Sequence, residues 1–90
     1  MSFKVLEAQA TPNPNAMKFV LDRPITEQPT SFFNAEAGKA HPVATQLFAI
    51  SGVTSVLMLG DFVTVNKRPD VKWNAITARV KAVLHAAEPG

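Results

Sequence analysis

Few residues of this chain have the chemistry to act on a substrate or to hold a metal ion. The 90 residues include no cysteine, which excludes disulfides, thiol nucleophiles, thiolate zinc sites and any iron–sulfur cluster ligated by thiolates of this chain. His41 and His85 have no second histidine or carboxylate at a metal-binding interval in their own segments. We therefore expect no metal site, and we interpret both histidines as exposed surface residues.

The carboxylates do not form a pair that could work as general acid and general base. Glu7, Glu27 and Glu36 fall in unrelated segments, and Asp61 is explained by its place in a Gly-Asp turn. The sequence contains no nucleophile elbow, phosphate-binding loop or dinucleotide fingerprint. These observations disfavour an enzyme. A noncovalent acid–base mechanism around His41 or Asp61 stays open as a minor alternative.

The basic residues give a second alternative, a small module that binds an anionic ligand, a peptide or a nucleic acid. Lys67, Arg68 and Lys72 form the densest basic cluster, and Asp70 interrupts it. The formal net charge is only +2, which disfavours nucleic acid as a partner. A solvated helix entrance is the simpler interpretation of this cluster.

Length and composition indicate one globular domain over residues 1–90. A chain of this length buries about 64% of its unfolded surface, enough for a single core. Apolar residues make up 47% of the chain and charged residues 18%, as in an ordinary globular domain. No segment reaches the ~20 apolar residues of a membrane helix, and residues 1–10 lack the features of a targeting segment. We therefore expect a cytoplasmic protein without a membrane partner.

The first part of the chain predicts two strands that pair in antiparallel fashion. Residues 3–10 alternate between two faces. One face carries Phe3 and Val5, and the other carries Leu6, Ala8 and Ala10. Residues 16–22 alternate again, and the two prolines between the strands make their connection rigid. An irregular crossing over residues 23–30 and a short edge strand over residues 31–34 should follow.

Two helices and a hairpin account for the rest of the chain. Pro42 begins a helix, and Gly52 follows it as a left-handed terminator. Gly60-Asp61 joins two strands through a two-residue turn suited to type II′. A last helix runs from Val71 onward, with Asp70 as its cap. Its apolar stripe comprises Trp73, Ile76, Val80, Val83, Leu84 and Ala87. The order β-β-(β)-α-β-β-α defines an α+β two-layer sandwich, with two helices on one face of a mostly antiparallel sheet.

The hairpin predicts two apolar faces. Pairing Leu59 with Phe62 puts one set of side chains against the helices. That set is Val56, Met58, Val63 and Val65. The other face still carries Leu57, Leu59 and Phe62, a patch that is unfavourable in water unless it is covered. Either a partner protein covers it, contributing a few kcal/mol at about 25 cal/mol per Å², or the chain's own segment with Phe32 and Phe33 does.

Several of these stretches resemble one protein family. Thr-Pro-Asn-Pro-Asn-Ala-Met-Lys-Phe, residues 11–19, resembles the opening signature of the N-terminal domain of the Nfu/NifU-type iron–sulfur cluster scaffold family. The resemblance continues in order over essentially the whole chain, and Trp73 stands where that domain has its tryptophan. The further matching stretches are Pro42-Val43-Ala44, Leu47-Phe48, Gly52-Val53, Ser55-Val56 and Asp61-Phe62-Val63-Thr64-Val65 with Lys67. The chain departs from the family at His41, where Ser is favoured, and at Leu57-Met58-Leu59, which replaces Phe-Phe-Gly.

The resemblance implies a role in iron–sulfur cluster assembly or delivery. In the full-length family a separate C-terminal domain holds the cluster through a Cys-X-X-Cys motif, and this sequence ends at Gly90 without one. We therefore expect a non-catalytic, stand-alone interaction domain that binds no cofactor directly and meets the cluster only through a partner. The expected partners are iron–sulfur assembly proteins, carriers or apo client proteins.

The residues expected to contact such a partner come from the first loop and from the hairpin. They are Asn13, Asn15, Lys18, Leu57, Leu59, Phe62 and Lys67. For the two asparagines a structural role competes with this one, because asparagine side chains also satisfy backbone groups in turns.

Overall fold

A five-stranded antiparallel sheet with helices on one face forms the fold of the residues described by a computed structural model, 3–39 and 41–86. The strands are β1 (Val5–Ala10), β2 (Ala16–Leu21), β3 (Thr30–Phe32), β4 (Val53–Leu59) and β5 (Phe62–Lys67), in the spatial order β1-β2-β5-β4-β3. The helices are α1 (Ala35–Gly38), α2 (Pro42–Phe48) and α3 (Trp73–Ala86). The α+β two-layer sandwich is confirmed. The single turn of α1, where Asn34 accepts a hydrogen bond from the N–H of Ala37, was not predicted.

The β4–β5 hairpin has the predicted register. Leu59 pairs with Phe62, and the pairing continues in register back to Ser55. Gly60 has a φ of 57°, and Asp61 has no positive φ, which is the combination that a type II′ turn requires. The turn therefore determines which hairpin side chains face the helices.

The side of the sheet that faces the helices forms the hydrophobic core. Phe3, which precedes β1, joins strand and helix residues in one buried cluster. Its other members include Phe19, Leu21, Val43, Ala44, Leu47, Val56, Met58, Val63, Val65, Ile76, Val80 and Leu84. The predicted stripe of α3 is confirmed, with Trp73 and Val83 packed against this cluster as partly buried residues. Ala87 lies outside the described residues.

Strand β1 departs from the predicted alternation. Its register with β2 shifts after Val5, which leaves Leu6 as an extra residue that is 59% exposed. A bulge of one residue moves the following side chains to the other face of a strand. Ala8 therefore pairs with Phe19, a core residue of β2. The prediction that Ala8 and Ala10 lie opposite Val5 is wrong for this reason.

The last helix begins at Trp73, two residues after the predicted start at Val71. The N–H of Val71 donates to the carbonyl of Arg68 (3.2 Å), and Pro69 occupies the turn position that proline favours. Asp70 does not cap the helix, because it lies within this turn and its carboxylate is 3.5 Å from Nε of Arg68. A turn therefore separates β5 from α3.

The two glycines with positive φ should differ in their tolerance of a side chain. A Cβ on Gly60 would meet no heavy atom within 4 Å, whereas a Cβ on Gly52, which has a φ of 98°, would lie 2.8 Å from Cγ2 of Val71. We expect Gly60→Ala to lower the free energy of unfolding by about 1–2 kcal/mol through backbone strain alone. Gly52→Ala should lower it further. Urea unfolding of both variants measures the difference, and equal losses would contradict this account of Gly52.

Candidate functional site

The face of the sheet opposite the helices carries the apolar residues predicted for partner contact. Leu57 and Phe62 are half-buried, and Leu59 is 37% exposed. Val20 pairs with Phe62 from the neighbouring strand β2. Nζ of Lys18 lies 4.1 Å from the centre of the Phe62 ring, within the range of a cation–π contact. We name these residues (Lys18, Val20, Leu57, Leu59 and Phe62) the open-face patch.

Val20 was not among the predicted site residues, although the sequence contained a signal for it. It stands two positions after Lys18 in a strand of alternating residues, so both side chains lie on the same face. The sequence did not predict which strand lies next to β2. The pairing of β2 with β5 brings Val20 beside Phe62, and this pairing joins residues far apart in the chain.

The two phenylalanines considered as a cover do not cover the open-face patch. Phe32 pairs with Val56 and is buried in the core, where its ring centre lies 5.8 Å from that of His41. Phe33 is 78% exposed. The hypothesis that these rings lie over the patch is therefore wrong, because β3 directs Phe32 to the helix side of the sheet.

The loop between β1 and β2 is held by its own side chains. The hydroxyl of Thr11 donates to the carbonyl of Ala16 (3.0 Å), and the side-chain oxygen of Asn13 accepts from the N–H of Asn15 (2.9 Å). Such local hydrogen bonds let asparagine and threonine stabilise turns that contain proline. Asn13 is exposed, so it can also contact a partner, whereas Asn15 is half-buried.

Lys67 links this loop to the sheet and to α3. It is 8% exposed, and its amine donates to the side chain of Asn15 (3.2 Å) and to the carbonyl of Arg68 (3.2 Å). The amine also lies 5.6 Å from the ring centre of Trp73, whose indole N–H donates to the carbonyl of Pro14 (3.0 Å). We name Pro14, Asn15, Lys67 and Trp73 the lysine junction. Lys67 was predicted to contact a partner, but its side chain exposes little surface for such a contact.

The basic residues of the alternative anion site do not present a common charged surface. The amine of Lys67 is directed at Asn15, and Arg68 is paired with Asp70. Lys72 is exposed and makes no ion pair within the described part of the chain. An anion-binding site needs positive groups that converge on one point, and these three side chains do not converge.

His41 caps helix α2. Its Nδ1 accepts from the N–H groups of Val43 (3.2 Å) and Ala44 (3.4 Å). Burial lowers the pKa of the imidazole below its ordinary value of 6.5, because desolvation disfavours the charged form. The prediction of an exposed histidine is wrong here, since the ring takes the place of the usual serine cap. His85 is exposed, as predicted.

The described residues contain neither a candidate metal site nor a candidate membrane span. Within 3–39 and 41–86, no three histidine, aspartate or glutamate side chains come together in a way that could hold a metal ion. Over the same residues, no helix has the length and the apolar composition that are needed to cross a bilayer.

The fold and its motifs define the class of protein. Residues 6–88 match the family described as "Scaffold protein Nfu/NifU N terminal". The chain belongs to this family, and the resemblance found in the sequence is confirmed.

Two curated relatives are similar to the chain along most of its length. NifU-like protein 5, mitochondrial, from Arabidopsis thaliana is 36% identical over 80 residues, which cover 88% of this chain and 29% of that protein. The human NFU1 iron-sulfur cluster scaffold homolog, mitochondrial, is 37% identical over 84 residues, or 91% of this chain and 33% of that protein. The chain therefore spans about a third of the length of these relatives.

Solved structures share the fold. A NifU-like protein from Saccharomyces cerevisiae superposes with a TM-score of 0.77 at 26% identity, covering 93% of this chain and 76% of that one. The crystal structure of protein SAV1430 from Staphylococcus aureus gives a TM-score of 0.73 at 25% identity, covering 89% of this chain and 96% of that one.

The relatives also correct the expected location. Both curated relatives are named as mitochondrial proteins, so the prediction of a cytoplasmic protein is wrong. That prediction was a default, because it rested on the lack of targeting features in residues 1–10 and on no positive signal.

The stability of the domain should depend on pH through His41. Its pKa is lower in the folded than in the unfolded chain, so the unfolded chain takes up the proton first as the pH falls. The contribution of His41 is therefore complete above pH 6.5 and is lost as the pH falls toward the folded pKa. His41→Ser, which caps without titrating, should lose less unfolding free energy in urea between about pH 8 and pH 5.

His85→Ser is the matched control, because it removes an exposed histidine and should keep the slope of the parent protein. Asp22 does not interfere in this window. The N–H of Lys4 lowers the pKa of its carboxyl below 3.8, so its contribution is lost only at more acidic pH. An identical slope in His41→Ser and in the parent would contradict the assignment to His41.

Removing the amine of Lys67 should loosen the lysine junction. Lys67→Met keeps most of the side-chain volume but leaves the Asn15 side chain and the Arg68 carbonyl without their donor. We expect a loss of about 1–3 kcal/mol in unfolding free energy and faster amide exchange in residues 11–15. Lys72→Met is the control and should stay within about 0.5 kcal/mol of the parent, because Lys72 is exposed. Unchanged exchange in Lys67→Met would contradict the linking role.

Proposed function

We propose that this chain is a non-catalytic interaction domain in iron–sulfur cluster assembly or delivery. It contacts a carrier or an apo client protein through the open-face patch and does not ligate the cluster itself. Membership of the family supports a role in cluster assembly or delivery, since the family is described as one of scaffold proteins. The observation that carries the mode of action is the open-face patch, an apolar sheet surface with a lysine at its side.

The chemistry of the open-face patch fits a reversible contact. Full burial of a large apolar side chain contributes about 1.5–3 kcal/mol, and Leu57 and Phe62 are already half-buried, so the gain per residue is smaller. After the ordering costs of association are subtracted, a patch of this size supports binding in the micromolar range. A delivery protein must release its partner, and binding of this strength permits release.

Lys18 determines which charge the partner surface should carry. Its amine lies over Phe62 at 4.1 Å, next to apolar side chains, so a partner group that carries a carboxylate beside an apolar residue would match it. Opposite charges of this kind mainly select the partner and speed encounter, whereas apolar burial holds the complex. The partner surface is therefore expected to be apolar with an acidic edge.

The sequence itself supports a role without cluster ligation. The chain has no cysteine, so it supplies no thiolate, and the cluster is cargo held by the partner. The matched segment is about a third of the relatives' length, which leaves most of each relative to supply cluster ligands elsewhere.

The proposal predicts which substitutions abolish binding. The isotope-labelled chain is titrated by NMR with cluster carriers and with apo client proteins. We expect the amide signals of β4 and β5 to shift, and we expect Leu57→Asp combined with Phe62→Asp to weaken binding at least about tenfold, because charge is placed in the buried contact. Lys18→Glu, a milder change, should weaken binding through the acidic edge of the partner.

Ala82→Asp is the control, because it places the same charge at an exposed position of α3, on the other side of the sheet. It should bind like the parent. Dispersion of the amide signals reports whether each variant is folded. If the folded double variant keeps every interaction of the parent, the open-face patch is not the binding surface.

A further inference from the structure

A pocket on the helical side of the molecule has no part in the contact proposed above. It has a volume of about 350 Å³ and is lined by Ser51, Val71, Ala75 and Arg79. Ser51 follows α2, Val71 belongs to the turn before α3, and the other two residues stand on α3. We propose that this pocket binds a carboxylate attached to a short aliphatic group.

The walls of the pocket are held in place before any ligand binds. The N–H of Val71 donates to the carbonyl of Arg68, and the N–H of Arg68 donates to the carbonyl of Gly52 (2.8 Å). Val71 also packs so closely on Gly52 that a Cβ there would lie 2.8 Å from its Cγ2. A preformed wall reduces the ordering cost of binding, and the volume is within the lower range of ligand sites.

The charge of the pocket is positive and uncompensated. Within the described residues Arg79 makes no hydrogen bond or ion pair, and Trp73–Ala86 contains no aspartate or glutamate. The exposed Lys81 on the same helix has the same sign. Asp70, the acidic residue nearest in sequence to Val71, is paired with Arg68. Among the described residues that line the pocket, the guanidinium of Arg79 is therefore available to an anion, and no carboxylate competes for it.

The lining matches a carboxylate that carries an aliphatic group. A guanidinium offers two parallel N–H donors that match the two oxygens of a carboxylate, and the hydroxyl of Ser51 can donate a further hydrogen bond. Val71 and Ala75 provide an apolar wall, which a short aliphatic group can cover but inorganic phosphate cannot. A small organic acid and the carboxyl terminus of a peptide share this chemistry.

The test is an NMR titration of the labelled full chain with butyrate, with neutral butyramide and with inorganic phosphate. Butyrate at about 10 mM should shift the amide signals of Ser51, Val71 and Ala75, and butyramide and phosphate should not. Arg79→Gln should weaken butyrate binding about tenfold, because a charged hydrogen bond is lost. Lys81→Gln removes the same charge outside the pocket and should change binding less than about twofold.

A second pair of ligands distinguishes the two sources of the carboxylate. An acetylated Ala-Leu dipeptide with a free carboxyl terminus is compared with its amidated form. Tighter binding of the free form than of butyrate supports a peptide terminus, and equal or weaker binding of the free form supports a small acid. The proposal is overturned if Arg79→Gln and Lys81→Gln weaken binding alike, if phosphate or butyramide shifts the same signals, or if butyrate shifts none. Any of these results leaves the open-face patch as it stands, because the lining residues are not part of it.

Discussion

The pairing register of the β4–β5 hairpin is the constraint on which the two faces of this domain depend. Successive side chains of a strand point to opposite faces, so a shift of one residue would exchange Met58 and Val63 for Leu57 and Phe62 in the core. Gly60 prevents this shift, since its positive φ allows a two-residue turn that matches the twist of the strands. One turn thus supplies both a complete core and an apolar surface that the helices do not cover.

The lysine junction holds in place the strand that carries part of this apolar surface. Lys67 at the end of β5 is bonded to Asn15, which directly precedes β2, through both its amine and its backbone N–H. These contacts set the position at which β2 begins, and β2 carries Lys18 to its place over Phe62. Within the described residues the amine of Lys67 has no carboxylate partner. A buried ammonium group of this kind is uncommon, because its desolvation must be offset by hydrogen bonds and ring contacts. Here the lysine stabilises the geometry of the open-face patch, and the partner contact that we propose involves Lys18 instead.

Local signals in the sequence predicted the parts of the fold that local physics decides. The turn residues and the alternation around Gly60 were enough for the hairpin, and Pro42 was enough for the start of α2. The bulge at Leu6 was not predictable, because it depends on how β1 fits its neighbour. The burial of Lys67 was also missed, since charge favours exposure and its partner lies 52 residues away in the chain. His41 was misjudged because histidine is an infrequent helix cap, although its place before a helix-starting proline was visible.

The central claim is that a partner in iron–sulfur cluster transfer rests on the open-face patch, and cross-saturation NMR tests it most directly. The deuterated chain, with protonated methyl groups, is mixed with a cluster carrier or an apo client whose protons are saturated, and the loss of methyl signal reports contact. The account predicts signal loss at Val20, Leu57 and Leu59, and none at the buried Leu47 and Leu84. Loss confined to methyl groups on the helical side, with those of the open-face patch unaffected, would contradict it.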